Sequence, residues 1–228
     1  MKDMSVADKI REVKGQLPAH VELVAVSKTK PPEVIMEAYH AGQRVFGENK
    51  AQELAAKAAC LPADIRWHFI GHLQTNKVRM VVPLVAVIQS VDSLKLLKTI
   101  DREAREAGRV IPCLLEFRIA AEETKYGLTP EEGESLLHSE EFRQMRHVQI
   151  AGVMGMATFT GDMEQVRGEF RALRNIFTHL KTRFFPSDPR FREISMGMSA
   201  DYPIAMEEGS TMIRLGTTLF SERIDINR

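Results

Sequence analysis

Eight short apolar runs, each rich in β-branched or aromatic residues and each followed by a stretch of helical periodicity, constrain this chain more than any other feature. The runs are VELVAV (21–26), RVFGE (44–48), RWHFIG (66–71), VAVIQSV (85–91), VIPCLLEFRI (110–119), IAGVMGM (150–156), EISMGM (193–198) and MIRLGT (212–217). Their length and composition suit parallel strands buried on both faces. Between them lie amphipathic patterns. The clearest is Met163, Val166, Phe170, Leu173, Phe177, Leu180 and Phe184, at spacings of three and four, and another runs Leu94, Leu97, Ile100, Ala104, Ala107. Gly42, Gly108 and Gly209 each follow a helical pattern shortly before a strand, as helix-ending glycines do. Pro31 and Pro32 fit the first turn of the helix after strand one. Repeated strand–helix–glycine units predict a parallel sheet, and eight of them predict closure into a (β/α)8 TIM barrel with an extra helix over 5–17. An open doubly wound sheet is the alternative, but no G-x-G-x-x-G follows strand one.

At 228 residues and 44% apolar, the chain has the size of one such barrel, and no linker-like tract divides it. A single domain over 1–228 is expected. Thirty-one basic residues balance thirty-one acidic ones, so no long-range field favours nucleic acid or an anionic membrane, and an anion site must be built locally. Two cysteines, Cys60 and Cys113, make no disulfide framework, and Cys113 reads as a core thiol. The first residues lack a signal-peptide core, and no apolar run nears the roughly 20 residues of a membrane span. A cytoplasmic protein is expected.

In a barrel of this kind chemistry gathers at the C-terminal ends of the strands, with phosphate often held after strands seven and eight. Strand alternation puts Val24, Val26 and Lys28 on one face, which aims Lys28 into the barrel mouth. Desolvation there would lower its pKa and free the amine for imine formation. The bland alternative is a solvated loop lysine. Ser199 of the GMS segment precedes a helical pattern over 200–208 and could cap it, turning backbone N–H groups toward an anion. The turn RLGTT (214–218) adds a glycine for close approach and two hydroxyls. An ordinary cap and strand terminus would look the same. His68 and His72 flank strand three without metal-ligand spacing. The acidic run Glu122, Glu123, Glu131, Glu132, Glu134 reads as a solvated face. Met154, Met156, Met196 and Met198 read as packing at the barrel mouth.

The segments VAVSKTKP, FGENKAQE, WHFIGHLQTNK and GMSADYPIAMEEGSTMIRLGT resemble, in order and over nearly the whole chain, the pyridoxal 5′-phosphate (PLP) homeostasis proteins, an alanine-racemase-like family. The resemblance implies a fold-type III PLP barrel. It implies that Lys28 carries PLP as an internal aldimine, that Ser199, Gly216 and Thr217 hold the phosphate, and that Arg214 faces the pyridine nitrogen. It sets Asn49 beside the ring, with His72 and Met154 as further neighbours, and offers Lys125 of the K-x-G turn as a second contact. Ser221 departs from the glycine common at that place.

The function so implied is intracellular PLP homeostasis by a non-catalytic monomer that binds PLP and passes it to apo PLP-dependent enzymes. The alternative is an amino-acid racemase. Racemases of this fold add a C-terminal β-domain that supplies a second base, and this sequence stops about ten residues after strand eight. A non-PLP barrel binding another phosphate ester would leave FGEN and HFIGHLQTNK unexplained.

Overall fold

Each of the eight apolar runs forms a strand in the computed structural model, which describes residues 4–121 and 126–220. The strands are β1 (Glu22–Val26), β2 (Val45–Glu48), β3 (Arg66–Phe69), β4 (Val85–Val91), β5 (Ile111–Phe117), β6 (Val148–Gly155), β7 (Glu193–Ser195) and β8 (Met212–Leu215). All pair in parallel in chain order, and β8 closes on β1 through Val24↔Arg214 and Ala25↔Leu215, so the sheet is a closed barrel. The open-sheet alternative is excluded. Lys125, Glu122, Glu123 and Ser221 lie outside the described residues.

The helices are α1 (Val6–Gln16), α2 (Pro32–His40), α3 (Ala51–Ala58), α4 (Val78–Val81), α5 (Leu94–Glu106), α6 (Pro130–His138), α7 (Glu140–Gln144), α8 (Met163–Phe184), α9 (Tyr202–Glu207) and α10 (Thr217–Phe220). Helix α1 is the expected extra helix. Pro32 opens α2, and Gly42, Gly108 and Gly209 take left-handed φ of 88°, 63° and 95° just past their helices. Ser93, Thr129 and Asp162 cap α5, α6 and α8 with their side chains. The apolar stripe of α8 buries Val166, Phe170, Leu173 and Leu180.

The main core lies between sheet and helices, built on Phe46, Trp67, Phe69, Phe117 and Phe170. Inside the barrel are two small apolar clusters, Val24 with Val45 and Met212, and Leu114 with Ala151 and Met154. The barrel interior also holds a polar chain. Arg214 Nη1 donates to Ser195 Oγ (2.6 Å), Ser195 Oγ donates to Gln89 Oε1 (2.7 Å), and Gln89 Nε2 meets His68 Nδ1 (2.9 Å). All four residues are buried.

Strands β3, β5, β6, β7 and β8 stop earlier than their apolar runs. Ordinary backbone ends β3 at Phe69, although Ile70 N still donates to Glu48 O. Strand β7 ends at Ser195 because Gly197 turns to φ 95°, while Met196 and Gly197 stay bonded to Met212 and Arg214 of β8.

Candidate functional site

A cavity of about 300 Å³ opens at the C-terminal mouth of the barrel, within the size range of small-molecule sites. Lys28, Asn49, Ser199, Arg214, Gly216 and Thr217 line it, together with Val26, Ile70, Met156, Met198, Phe159 and Asp201. Residues from the ends of β1, β2, β3, β6, β7 and β8 thus converge on one space. A larger groove of about 710 Å³ lies between the loops after β4 and β5, lined by Arg118, Tyr126, Glu131 and Glu132. It contains neither the strand-end lysine nor the glycine turn, so its size does not make it the better candidate.

Lys28 leaves β1 on the same face as Val26, as strand parity requires. It is exposed at the mouth, so burial does not supply the desolvation expected for it. It stands second in a tight turn, Ser27–Lys30, closed by Lys30 N donating to Ser27 O (3.0 Å). Thr29, third in the turn, has φ 63°, and it is the non-glycine residue with positive φ among those described. Asn49 follows β2. Its Oδ1 is buried with no hydrogen-bond partner among the described residues. Gly71 packs on the Asn49 backbone so closely that a Cβ would stand 2.5 Å from Asn49 O. That contact requires the glycine of FIGH, while the glycine of FGEN, Gly47, packs against Ile70 and Val24, where a Cβ would stand 2.9 and 3.0 Å from their side chains.

The β7 and β8 ends form the predicted anion corner, but by a different arrangement. Ser199 does not cap α9. That helix begins at Tyr202, three residues on, beyond the reach of a cap hydroxyl, and Asp201 is its N-cap. The Asp201 carboxylate instead accepts from Met198 N at 2.5 Å. Ser199 Oγ turns toward the β8 end and accepts from Gly216 N and Thr218 N, each at 3.3 Å. These amides begin α10, so their donors point into the cavity mouth. Gly216 has no left-handed φ, and a Cβ there would make only ordinary contact with Val26, at 3.6 Å or more. Protein packing therefore does not demand glycine at 216.

Arg214 is fixed by Ser195 Oγ and by Gly155 O, to which Nη2 donates at 3.0 Å. Burial pushes its pKa down to about 10, opposed by Glu116 and Asp201, so it stays cationic at neutral pH. Glu116, buried on β5, is pushed up to about 7 by burial, with Asp92 adding and Arg214 opposing. His68 is pushed down to about 3 by burial. It is neutral, and its Nε2 has no partner among the described residues.

Two expected neighbours stand outside the cavity lining. Met154 is fully buried in the interior cluster with Leu114 and Ala151, and Met156 is the β6-end methionine that reaches the cavity, beside Met198. Two residues along a strand is about 7 Å of depth. His72 lies on the β3–β4 side, paired with Asp92 (3.2 Å) and stacked on Tyr126 with centroids 3.9 Å apart. Sequence reasoning missed a buried cluster behind Lys28, formed by Ser27, Glu48, Glu53 and Lys57. The signal was present: Ala51, Leu54 and Lys57 recur at three-residue spacing on the buried face of α3, so a lysine falls where an apolar residue belongs. Among the described residues no group of His, Cys, Asp and Glu could hold a metal ion, and no helix is long and apolar enough to cross a membrane.

Known proteins match this chain in sequence and in architecture. The family described as alanine racemase, N-terminal domain, matches residues 4–223. The pyridoxal phosphate homeostasis protein of Aquifex aeolicus is 40% identical over 203 residues, covering 89% of this chain and 87% of that one. The structure of PipY from Synechococcus elongatus, solved with PLP bound, superposes with a TM-score of 0.85 at 39% identity, over 94% of this chain and 99% of that one. Alanine racemase from E. faecalis superposes with a TM-score of 0.71 at 15% identity, over 96% of this chain and 58% of that one, and shares the fold.

Proposed function

The chain belongs to the alanine racemase N-terminal domain family, alongside the pyridoxal phosphate homeostasis proteins, and from that premise we propose that it is a PLP-binding protein of intracellular PLP homeostasis. In this reading the whole chain is one binding domain, Lys28 carries the amine that bonds the cofactor, and its role is to hold PLP rather than to catalyse with it.

The observation that carries the reading is the composition of the cavity. One exposed strand-end amine, Lys28, faces a corner where the Gly216 and Thr218 amides donate to the Ser199 hydroxyl, whose own O–H is a further donor. The residues fit the group. The missing side chain at Gly216 leaves room that packing does not require, and Ser199 Oγ occupies the acceptor position that a phosphate oxygen would take. PLP supplies an aldehyde that condenses with an amine, and its ring withdraws electrons from the carbon so attached. The chain's own residues do the rest. Ser199, Gly216 and Thr217 would hold the phosphate, Asn49 would meet the ring with its unpartnered Oδ1, and Arg214 would present a fixed cation to the ring edge. A guanidinium cannot accept a proton, so it discourages protonation of a ring nitrogen beside it. Met154 and His72 would act from behind this lining, through Met156 and through the Asp92–Tyr126 side of the mouth.

Support for a holding role comes from the acid–base inventory. The carboxylate in the cavity lining, Asp201, is engaged by Met198 N, and Arg214 is held charged. Stereoinversion needs a proton taken on one face and delivered on the other, and lacking one such group costs roughly 10²–10⁴-fold. The reading also takes apo PLP-dependent enzymes as recipients, a monomer as the working form, and the cytoplasm as the compartment. Cys60 and Cys113 are both free thiols. Incubation of the PLP-loaded protein with L-alanine in deuterated water tests the non-catalytic role. Little exchange at the α-carbon and no D-alanine are expected. Racemisation at about 1 s⁻¹ or faster, as in ordinary enzymes, would move the protein to the enzyme class.

A further inference from the structure

We propose that Lys57 is a positioning residue for Lys28, acting through a buried ion cluster that clamps the Ser27–Lys30 turn from behind. The inference rests on the reading of Lys28 given above. Lys57 Nζ donates to Ser27 O, Glu48 Oε1 and Glu53 Oε1, each at 2.7 Å. Ser27 Oγ donates to the same Glu48 oxygen at 2.6 Å. Glu53 Oε1 also accepts from Thr29 N at 2.5 Å. The residues on either side of Lys28 are therefore tied to one ammonium: Ser27 directly through its carbonyl, Thr29 through Glu53.

Three features set this cluster apart from an ordinary surface ion pair. Ser27 and Glu48 are fully buried, and the Lys57 side chain is 6% exposed. A buried charge of this kind is costly unless fully paired, Glu48 Oε2 is buried with no hydrogen-bond partner among the described residues, and stability alone would be served as well by apolar packing. The clamped turn holds a β-branched residue at φ 63°, a conformation that persists only where surroundings over-determine it and that concentrates at functional sites. The third feature is direction. Ser27 alternates with Val26 and Lys28 along the chain, so the cluster lies on the α3 side of the strand end, and none of Ser27, Glu48, Glu53 and Lys57 lines the cavity. It acts on Lys28 only by fixing the backbone that carries it. Glu48 and Glu53 belong to the segment FGENKAQE, so that one stretch supplies Asn49 to the cavity and the clamp behind it.

The test separates the amine's placement from the rest of the site. The full-length apo-protein is titrated with PLP and with pyridoxine 5′-phosphate, which has the phosphate and ring but no aldehyde. The variants are Lys57→Met, Lys57→Arg and Glu53→Gln. Glu53 is the most accessible member of the cluster (its side chain is 23% exposed), so Glu53→Gln covers the case in which Lys57→Met does not fold. Displacement of a reacting group by about 1 Å costs on the order of 100-fold in a productive geometry. Lys57→Met and Glu53→Gln are expected to lower PLP affinity at least about tenfold, a loss of roughly 1.4 kcal/mol, to slow borohydride-trapped labelling of Lys28, and to leave pyridoxine 5′-phosphate binding unchanged. Lys57→Arg is expected to restore part of the loss. Equal weakening of both ligands, or no change in either, overturns the inference while leaving Lys28 as the cofactor lysine. Absence of a Lys28 adduct in the wild-type protein overturns the reading of the site, and the inference with it.

Discussion

Replacing Gly216 by alanine separates what the protein needs at the β8 end from what a phosphate needs there. In the protein alone the new methyl meets only Val26, with contacts from 3.6 to 3.9 Å, and the backbone at 216 has no left-handed φ. Nothing must shift. A compatible Gly→Ala change removes freedom from the unfolded chain and stabilises by about 0.4–1 kcal/mol. For a chain of this size that raises Tm by roughly 1–4 °C. In the complex the same methyl would project into the cavity lining beside Val26, next to the Gly216 amide that, with Thr218 N, donates to Ser199 Oγ at 3.3 Å. Loss of one charge-assisted hydrogen bond costs roughly 1.5–3 kcal/mol, so PLP should bind about 10- to 100-fold more weakly. The assay is a pair of measurements on the same preparation: thermal unfolding of the apo-protein, and titration with PLP and with pyridoxal. The expected result is an apo-protein as stable as wild type or more so, weaker PLP binding, and little change for pyridoxal. A destabilised apo-protein would show that Gly216 serves the fold. Equal losses for both ligands would place the phosphate elsewhere.

Buried titratable groups lead to two predictions with opposite signs. Glu116 has a folded pKa of about 7, above its unfolded value of 4.5. The native chain keeps a proton that the unfolded chain releases, so stability falls as pH rises from about 4.5 through 7, by roughly 3 kcal/mol in all. Glu116→Gln should flatten that slope and raise the urea midpoint at pH 8 relative to wild type; an unchanged difference between pH 5 and pH 8 would contradict it. His68 is depressed to about 3, so its stabilising contribution is present above 6.5 and lost as pH falls from there toward 3. His68→Asn should make urea unfolding less sensitive to pH between 6.5 and 4, and an unaltered acid limb would refute the assignment.

The barrel was legible because the strands are mostly buried and read as short, largely apolar runs separated by stretches of helical periodicity. Parity along β1 likewise carried Val26 and Lys28 to the cavity. Depth along a strand was not legible: Met154 and Met156 share a face, and only the register of β6 against β5 and β7 decides which reaches the mouth. The partner of Ser199 was hidden for a similar reason. A hydroxyl near a helix start reads as a local cap, whereas here it bonds backbone some seventeen residues away. The Lys57 cluster was legible only in part: Ala51, Leu54 and Lys57 share one face of α3, but only packing brings Lys57 to Ser27 and Glu48. His72 was drawn to the site by motif position, but its ring is held by Asp92 and Tyr126.

The central claim is that Lys28 is the residue through which this chain holds PLP, and chemical trapping measures it directly. The purified protein is loaded with PLP, reduced with borohydride, digested, and its peptides sequenced by mass spectrometry. The account predicts a pyridoxyl group on the peptide containing Lys28, in amount matching the bound cofactor and abolished in Lys28→Ala. An adduct confined to Lys30, Lys50 or Lys125, with Lys28 unmodified, would contradict it.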